Sequence, residues 1–314
     1  MRPLVVTLTN FDAFIEFNHN ITPEIFQHIE SHIYRAVDKD LTEAILKFIK
    51  SVTLNHNIDL NFAQNILPPL RHVIPNNDYQ DVNEEYCVIV LECLINLIKK
   101  DSLHLNTFLS LKFTDFLKRR IDDQRFTRHI LIFIGLYTQK FPQSMLSLGI
   151  SIDSIYKHIC VEDSSFDAAL WCFYYIIESD HILLESENTM KIIDYLFEKF
   201  DGNGYFVKRY IVLLIALVYK HIPTSEYDKD KVIKILDMFT EVAEMGTDEE
   251  RREMFKYLVQ TVCSIYRVYE NCPKEEIDDQ FMQCLATLIS GAEDLGENEL
   301  CETLNKMMQE CTDE

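Results

Sequence analysis

The 314-residue chain is poor in the residues that make turns, with only 7 Gly and 8 Pro. Average usage is about 7% Gly and 5% Pro, so folds built on hairpins or Gly-rich loops are disfavoured and long helices are expected. Positive charge is also short. Thirty Lys and Arg stand against 51 Asp and Glu, a net charge of −21, which repels nucleic acid phosphates unless a basic patch is set apart. Long apolar runs are missing too: the longest, Tyr210 to Tyr219, is about half the ~20 residues needed to cross a bilayer. The opening stretch Met1 to Asn10 is too short for a signal sequence and is followed by Asp12 and Glu16. The nine Cys are odd in number and contain no C-x-x-C, so they read as reduced thiols of a cytoplasmic or nuclear protein.

The common chemical signatures are missing as well. No Gly-x-Gly-x-x-Gly, Gly-x-x-x-x-Gly-Lys or Gly-x-Ser-x-Gly occurs. His28 and His32 stand one helical turn apart with Glu24 a further turn back, yet no third strong ligand is visible, so no metal is expected. Asp201-Gly-Asn-Gly204 begins like a calcium loop, but Tyr205 and Val212 occupy places where an EF-hand needs oxygen ligands. It reads instead as a helix-ending turn whose glycines supply positive φ. The expectation is a protein with no cofactor and no catalytic centre, with an all-helical enzyme as an open alternative.

What is present is helical period. Apolar residues recur at i, i+3, i+4 and i+7 through stretches of about 12 to 20 residues, with no clean alternation, predicting roughly a dozen helices and no sheet. Thr22-Pro23-Glu24, Thr247 to Glu250, and more weakly Asp81 to Glu84 and Ser164 to Asp167, offer N-terminal caps. Stops are expected at Pro68-Pro69, Gly149, Asp201 to Gly204, Pro223, Gly246 and Pro273.

A five-residue pattern recurs along these helices: Phe113 to Leu117, Ile152 to Tyr156, Ile192 to Leu196, Val232 to Leu236, and more loosely Phe281 to Leu285. The first four starts are 39, 40 and 40 residues apart. A second, more apolar helix follows each of those four, at Ile130 to Ile134, Ala168 to Cys172, Ile211 to Ile215 and Met254 to Leu258. A period near 40 made of helix pairs resembles the armadillo and HEAT superfamily of α-solenoids, whose repeats run ~40–47 residues. The resemblance lies in periodicity over about residues 110 to 290. It implies an all-α, right-handed α-α superhelix, with 1–110 an N-terminal helical region, 111–290 the repeats and 291–314 an acidic C-terminal cap.

Such a fold acts by display, holding spaced side chains on a long concave surface. The expected function is therefore a non-enzymatic scaffold or adaptor for a protein or peptide. Candidate anchors are Trp171 and Tyr175 on one predicted helix, and Lys208 and Arg209 on the second helix of the next pair. The Trp-x-x-x-Asn grip of nuclear import receptors is not matched, because Tyr175 stands in the Asn place.

Charge is unevenly placed. Residues 1–60 sum to −3, 61–240 to −5 and 241–314 to −13, so the C-terminal quarter could draw a basic partner or simply keep the chain dissolved. Against that trend, Lys112 to Arg128 carries Lys112, Lys118, Arg119, Arg120, Arg125 and Arg128 with only Asp115, Asp122 and Asp123. This segment either binds a phosphate, an acidic peptide or RNA, or pairs internally, Arg119 and Arg120 with Asp122 and Asp123.

Overall fold

A computed structural model describes residues 39–55, 59–74, 83–142, 145–160, 164–179, 187–221, 229–243, 279–312 and single positions between 245 and 266. Among these residues the regular structure is helical, with no strand. The chain divides into two compact units, Met1–Ser179 and Asp180–Glu314. The division falls inside the stretch 111–290 that the periodicity reads as one array. The histidines at 28 and 32, the start at Thr22, and the stops at Pro223, Gly246 and Pro273 lie outside the described residues.

In the first unit, α1 (Lys39–Asn55), α3 (Glu84–Lys99), α6 (Thr127–Lys140) and α9 (Phe166–Ser179) are the long, apolar helices. They pack side by side, α1 on α3, α3 on α6 and α6 on α9. Shorter helices fall between them in sequence: α2 (Leu60–His72), α4 (Leu105–Ser110), α5 (Phe113–Arg120), α7 (Met145–Leu148) and α8 (Ile152–Ile159). Of these, α2 packs on α4, α4 on α5, α5 on α6 and α8 on α9. The row forms because each long helix is apolar over more than one face, Val90, Leu91, Leu94 and Leu97 of α3 being fully buried, and no single helix pair can cover that much surface.

The second unit runs α10 (Glu187–Lys199), α11 (Tyr205–His221), α12 (Lys229–Ala243), α13 (Asp279–Leu295) and α14 (Asn298–Thr312), each packed on the next.

The five-residue pattern falls on α5, α8, α10, α12 and α13. Most of its apolar positions are buried, namely Phe113, Phe116 and Leu117; Ile155 and Tyr156; Ile192 and Leu196; Ile235 and Leu236; Phe281, Cys284 and Leu285, while Ile152 and Tyr195 are half-buried. Long-range polar contacts keep the same interval. Arg71 Nε donates to the Leu111 carbonyl 40 residues on. Tyr86 Oη reaches the Lys39 carbonyl across 47 residues, Lys231 pairs with Asp194 across 37, and Arg252 Nη2 reaches the Leu295 carbonyl across 43. Each element is thus tied to its counterpart about one helix pair away.

Three local expectations change. The helix does not stop at Pro68-Pro69, since α2 runs through both. An interior proline costs ~3 kcal/mol, but Ile66, Leu67 and Leu70 are fully buried at about 1.5–3 kcal/mol each, and the Arg71 guanidinium fastens the last turn to Leu111 and Ile74. The start of α3 is capped by Asn83, whose Oδ1 accepts from Tyr86 N–H at 3.2 Å, two residues later than Asp81. Gly202 and Gly204 are not in the left-handed region; the turn ends α10 instead through Asn203, whose side chain donates to the Lys199 carbonyl. Gly149, at φ +56°, does turn the chain after α7.

Candidate interaction surface

The long helices α1, α3, α6 and α9 carry half-exposed residues along the row of the first unit. Lys50 on α1 pairs with Glu92 on α3 at 2.6 Å. His129 on α6 is half-buried, and burial pushes its imidazole below the ordinary value while Glu92 pulls it back up. Trp171 and Tyr175 on α9 are likewise half-buried.

Trp171 and Tyr175 meet edge to face with ring centroids 5.1 Å apart, and Tyr174 meets Tyr175 the same way at 5.2 Å. One helical turn separates Trp171 from Tyr175, which is why they share a face. Tyr174 itself is buried, and its hydroxyl donates to Glu178 Oε1 at 3.3 Å. The indole of Trp171 lies against Gly135 on α6, so close that a methyl group there would sit 2.4 Å from Cζ3. The backbone of one helix therefore seats the aromatic anchor of the next. Sequence reasoning missed this seat, although a lone Gly inside the apolar run of α6 is the signal that marks a close approach.

Three cations of the basic segment, Arg120, Arg125 and Arg128, are held by carboxylates. Arg125 grips Asp123 through Nε at 2.9 Å and Nη2 at 2.7 Å, with Glu84 at 3.9 Å and the Phe126 ring under its guanidinium. Arg120 lies 3.7 Å from Asp123, as the internal-pairing reading expects. Asp122 pairs with Lys157 at 3.2 Å and lies equally near Nε2 of the buried His158, while Arg120 faces Asp123. Arg128, in the first turn of α6, forks onto both carboxylate oxygens of Asp167 in the first turn of α9, and donates to the Ser164 carbonyl at 2.9 Å. The Arg125 hydrogen bonds hold the Asp123 carboxyl below its ordinary value. Burial raises the Asp167 carboxyl, but the Arg128 contacts outweigh it and leave a net lowering.

Lys208 and Arg209 are not displayed. They are 9% and 6% exposed, in the second unit. The Lys208 ammonium lies 4.6 Å from the Phe200 ring centroid and pairs with Glu241, while Arg209 lies over Tyr210. Exposed charge of the acidic quarter sits on α13 and α14, at Glu293, Asp294, Glu299 and Glu302. Glu297 faces Arg252 at 3.8 Å.

Among the described residues no three His, Cys, Asp or Glu side chains are grouped to hold a metal ion. Burial pushes the thiols of Cys87 up to about 11 and of Cys93 and Cys284 up to about 12, so these sulfurs are poor nucleophiles. No helix of the described residues is long and apolar enough to cross a membrane.

No protein-family model and no curated protein matches the chain. Solved structures do. The crystal structure of an engineered protein from the Northeast Structural Genomics Consortium superposes on 90% of this chain and 75% of its own, with a TM-score of 0.54 and 11% sequence identity. At that identity the likeness concerns the fold alone: all-α, built of many helices.

Proposed function

We propose that the chain is an α-solenoid of the armadillo or HEAT type and works as a non-enzymatic scaffold or adaptor of the cytoplasm or nucleus. Its mechanism is display. Helix pairs hold half-exposed side chains at fixed intervals, and an extended segment or helix of a protein partner lies across them. The observation that carries this reading is the row α1, α3, α6, α9, in which polar ties between neighbouring elements repeat at about one helix pair and the aromatic pair Trp171 and Tyr175 stays half-exposed. Trp and Tyr are the residue types that most often anchor interfaces. The acidity of the chain favours a basic partner, with an association rate that falls as salt rises.

Arg125 and Arg128 serve this reading as rim residues, since each is exposed on one side and tied to a carboxylate on the other. The same ties argue against phosphate or RNA contact at Arg120, Arg125 and Arg128, because an incoming phosphate would have to displace Asp123 and Asp167.

The test is capture of partners from cell extract on the full chain at low and high salt, repeated with Trp171→Ala and Tyr175→Ala after circular dichroism shows both variants folded. A protein retained by the parent, lost from both variants and crosslinked to α9, supports the scaffold. Retention unchanged in both variants, or retention of RNA alone, overturns it.

A further inference from the structure

The start of α2, the C-terminal ends of α3 and α6 and the loop leading into α4 line an open pocket of about 410 Å³, within the range of small-ligand sites. Its accessible apolar lining is Leu60, 50% exposed, with the half-buried Leu105 and Phe141, while Ile98 and Leu103 are buried. The Phe141 ring packs on Tyr137 with centroids 5.3 Å apart, and Tyr137 belongs to a cluster with Phe108 and Phe133, so this wall is stiff.

Three polar residues of the lining carry the argument. Asp101 holds φ +55°, a backbone region that favours glycine. It closes α3 with its N–H on the Ile98 carbonyl and the Ser102 N–H on the Leu97 carbonyl, the arrangement that Gly296 makes after α13. Here the position carries a carboxylate, and that carboxylate holds Lys140 Nζ at 2.6 Å. His104 caps α4: its Nδ1 accepts from Thr107 N–H at 3.3 Å and lies 2.8 Å from the Thr107 hydroxyl. In the neutral ring the proton therefore sits on Nε2, which is left as a donor.

Lys140 keeps two further hydrogens and His104 its Nε2–H at this site, beside the Asn106 amide.

We propose that this pocket binds an apolar monocarboxylate, with its hydrocarbon body on Leu60, Leu105 and Phe141 and its carboxylate taking the Lys140 ammonium from Asp101 while His104 Nε2–H donates. Asp101 is the internal stand-in for the ligand. Binding exchanges one ion pair for another, so the apolar body supplies the net affinity and the displaced pair sets the preference for an acid. The site does not depend on the scaffold reading. Two sources share the chemistry: a free short-chain acid, and the C-terminus of a peptide ending in an apolar residue.

The experiment is calorimetric titration of the full chain with 4-methylpentanoate, its amide and 4-methylpentylamine. A parallel arm uses a peptide ending in Leu with a free or an amidated C-terminus. The acid binds at least about tenfold more tightly than the amide, and Lys140→Gln removes that preference. Asp101→Asn, which keeps a residue tolerated in the left-handed region, tightens acid binding several-fold by removing the competitor. Saturation by the free-ended peptide together with the acid assigns the peptide source, and saturation by the acid alone assigns the small molecule. Equal binding of acid and amide, preference for the amine, weaker acid binding in Asp101→Asn, or no binding of acid or peptide at millimolar concentration overturns the proposal. Unchanged melting temperatures of both variants exclude misfolding as the cause.

Discussion

Trp171 on α9 sits where Gly135 on α6 leaves room for it, its six-membered ring pressed on backbone that no other residue type would leave bare. The same device occurs in the second unit, where a methyl on Gly291 would meet the Phe255 ring at 2.3 Å. Both glycines lie in apolar helical runs, where Gly costs roughly 1 kcal/mol relative to Ala. What offsets that cost is the aromatic packing it permits. Gly135→Ala therefore destabilises the chain by about 1–3 kcal/mol despite the better helix former, because the indole must leave its seat. Trp171 is the single tryptophan, so urea unfolding followed by its emission reads both the stability loss and the shifted environment. An unchanged midpoint with unchanged emission would mean that the ring does not rest on α6.

The fork between Arg128 and Asp167 ties the first turn of α6 to the first turn of α9. The folded Asp167 carboxyl lies below its unfolded value of about 3.9, so this tie contributes stability in full above that pH and loses it as pH falls through the lower folded value. Both side chains touch solvent, so screening holds the contribution to about 0.5–1 kcal/mol. Asp167→Asn should lower stability by that amount at pH 7 and converge with the parent at strongly acid pH. Parallel stability curves with no convergence would remove the ion pair as the cause.

Continuity of α2 through Pro68 and Pro69 has a direct check. Pro68 is half-exposed, so Pro68→Ala restores a helix-interior N–H without opening a core cavity. The expected gain is about 2–2.5 kcal/mol, the ~3 kcal/mol of an interior proline less the ~0.4–1 kcal/mol of unfolded-state entropy that proline removes. A chain broken at this point would show no gain or a small loss on thermal unfolding.

Lys208 tests the difference between a buried cation and a displayed one. Removing it empties the place over Phe200 and leaves Glu241 without its partner, so Lys208→Ala should cost about 1–3 kcal/mol. Partner retention, compared at equal folded fraction, should stay unchanged. Loss of partner with intact stability would return Lys208 to the interaction surface.

Most of the helices were legible in the sequence because helical period needs only local order. The register of the five-residue pattern was legible too: Phe113, Phe116 and Leu117 are buried together, and Ile192 and Leu196 repeat the arrangement. Boundaries were less so. Pro68 and Pro69 read as a stop because their local cost is visible and the burial of Ile66, Leu67 and Leu70 that opposes it is not. Asp81 read as a cap where Asn83 serves, since residues two apart offer the same chemistry and only the incoming chain direction chooses between them. In the candidate surface, the pairing of Trp171 with Tyr175 followed from i, i+4 spacing. The burial of Lys208 and Arg209 did not, because a cation on an apolar helix is buried or displayed according to what a helix some 33 residues away presents, here Glu241.

Composition, period and charge by themselves determined an all-helical chain, acidic toward its end, with helix pairs recurring about every 40 residues. These properties are local or additive, so the order of residues is enough to specify them. Only the tertiary structure decided that Arg128 holds Asp167, which glycine seats the indole, and where Asp101 and Lys140 meet. Such contacts join residues 33 to 47 apart, and their partners are chosen by the packing of whole helices and not by the short segments in which each residue lies.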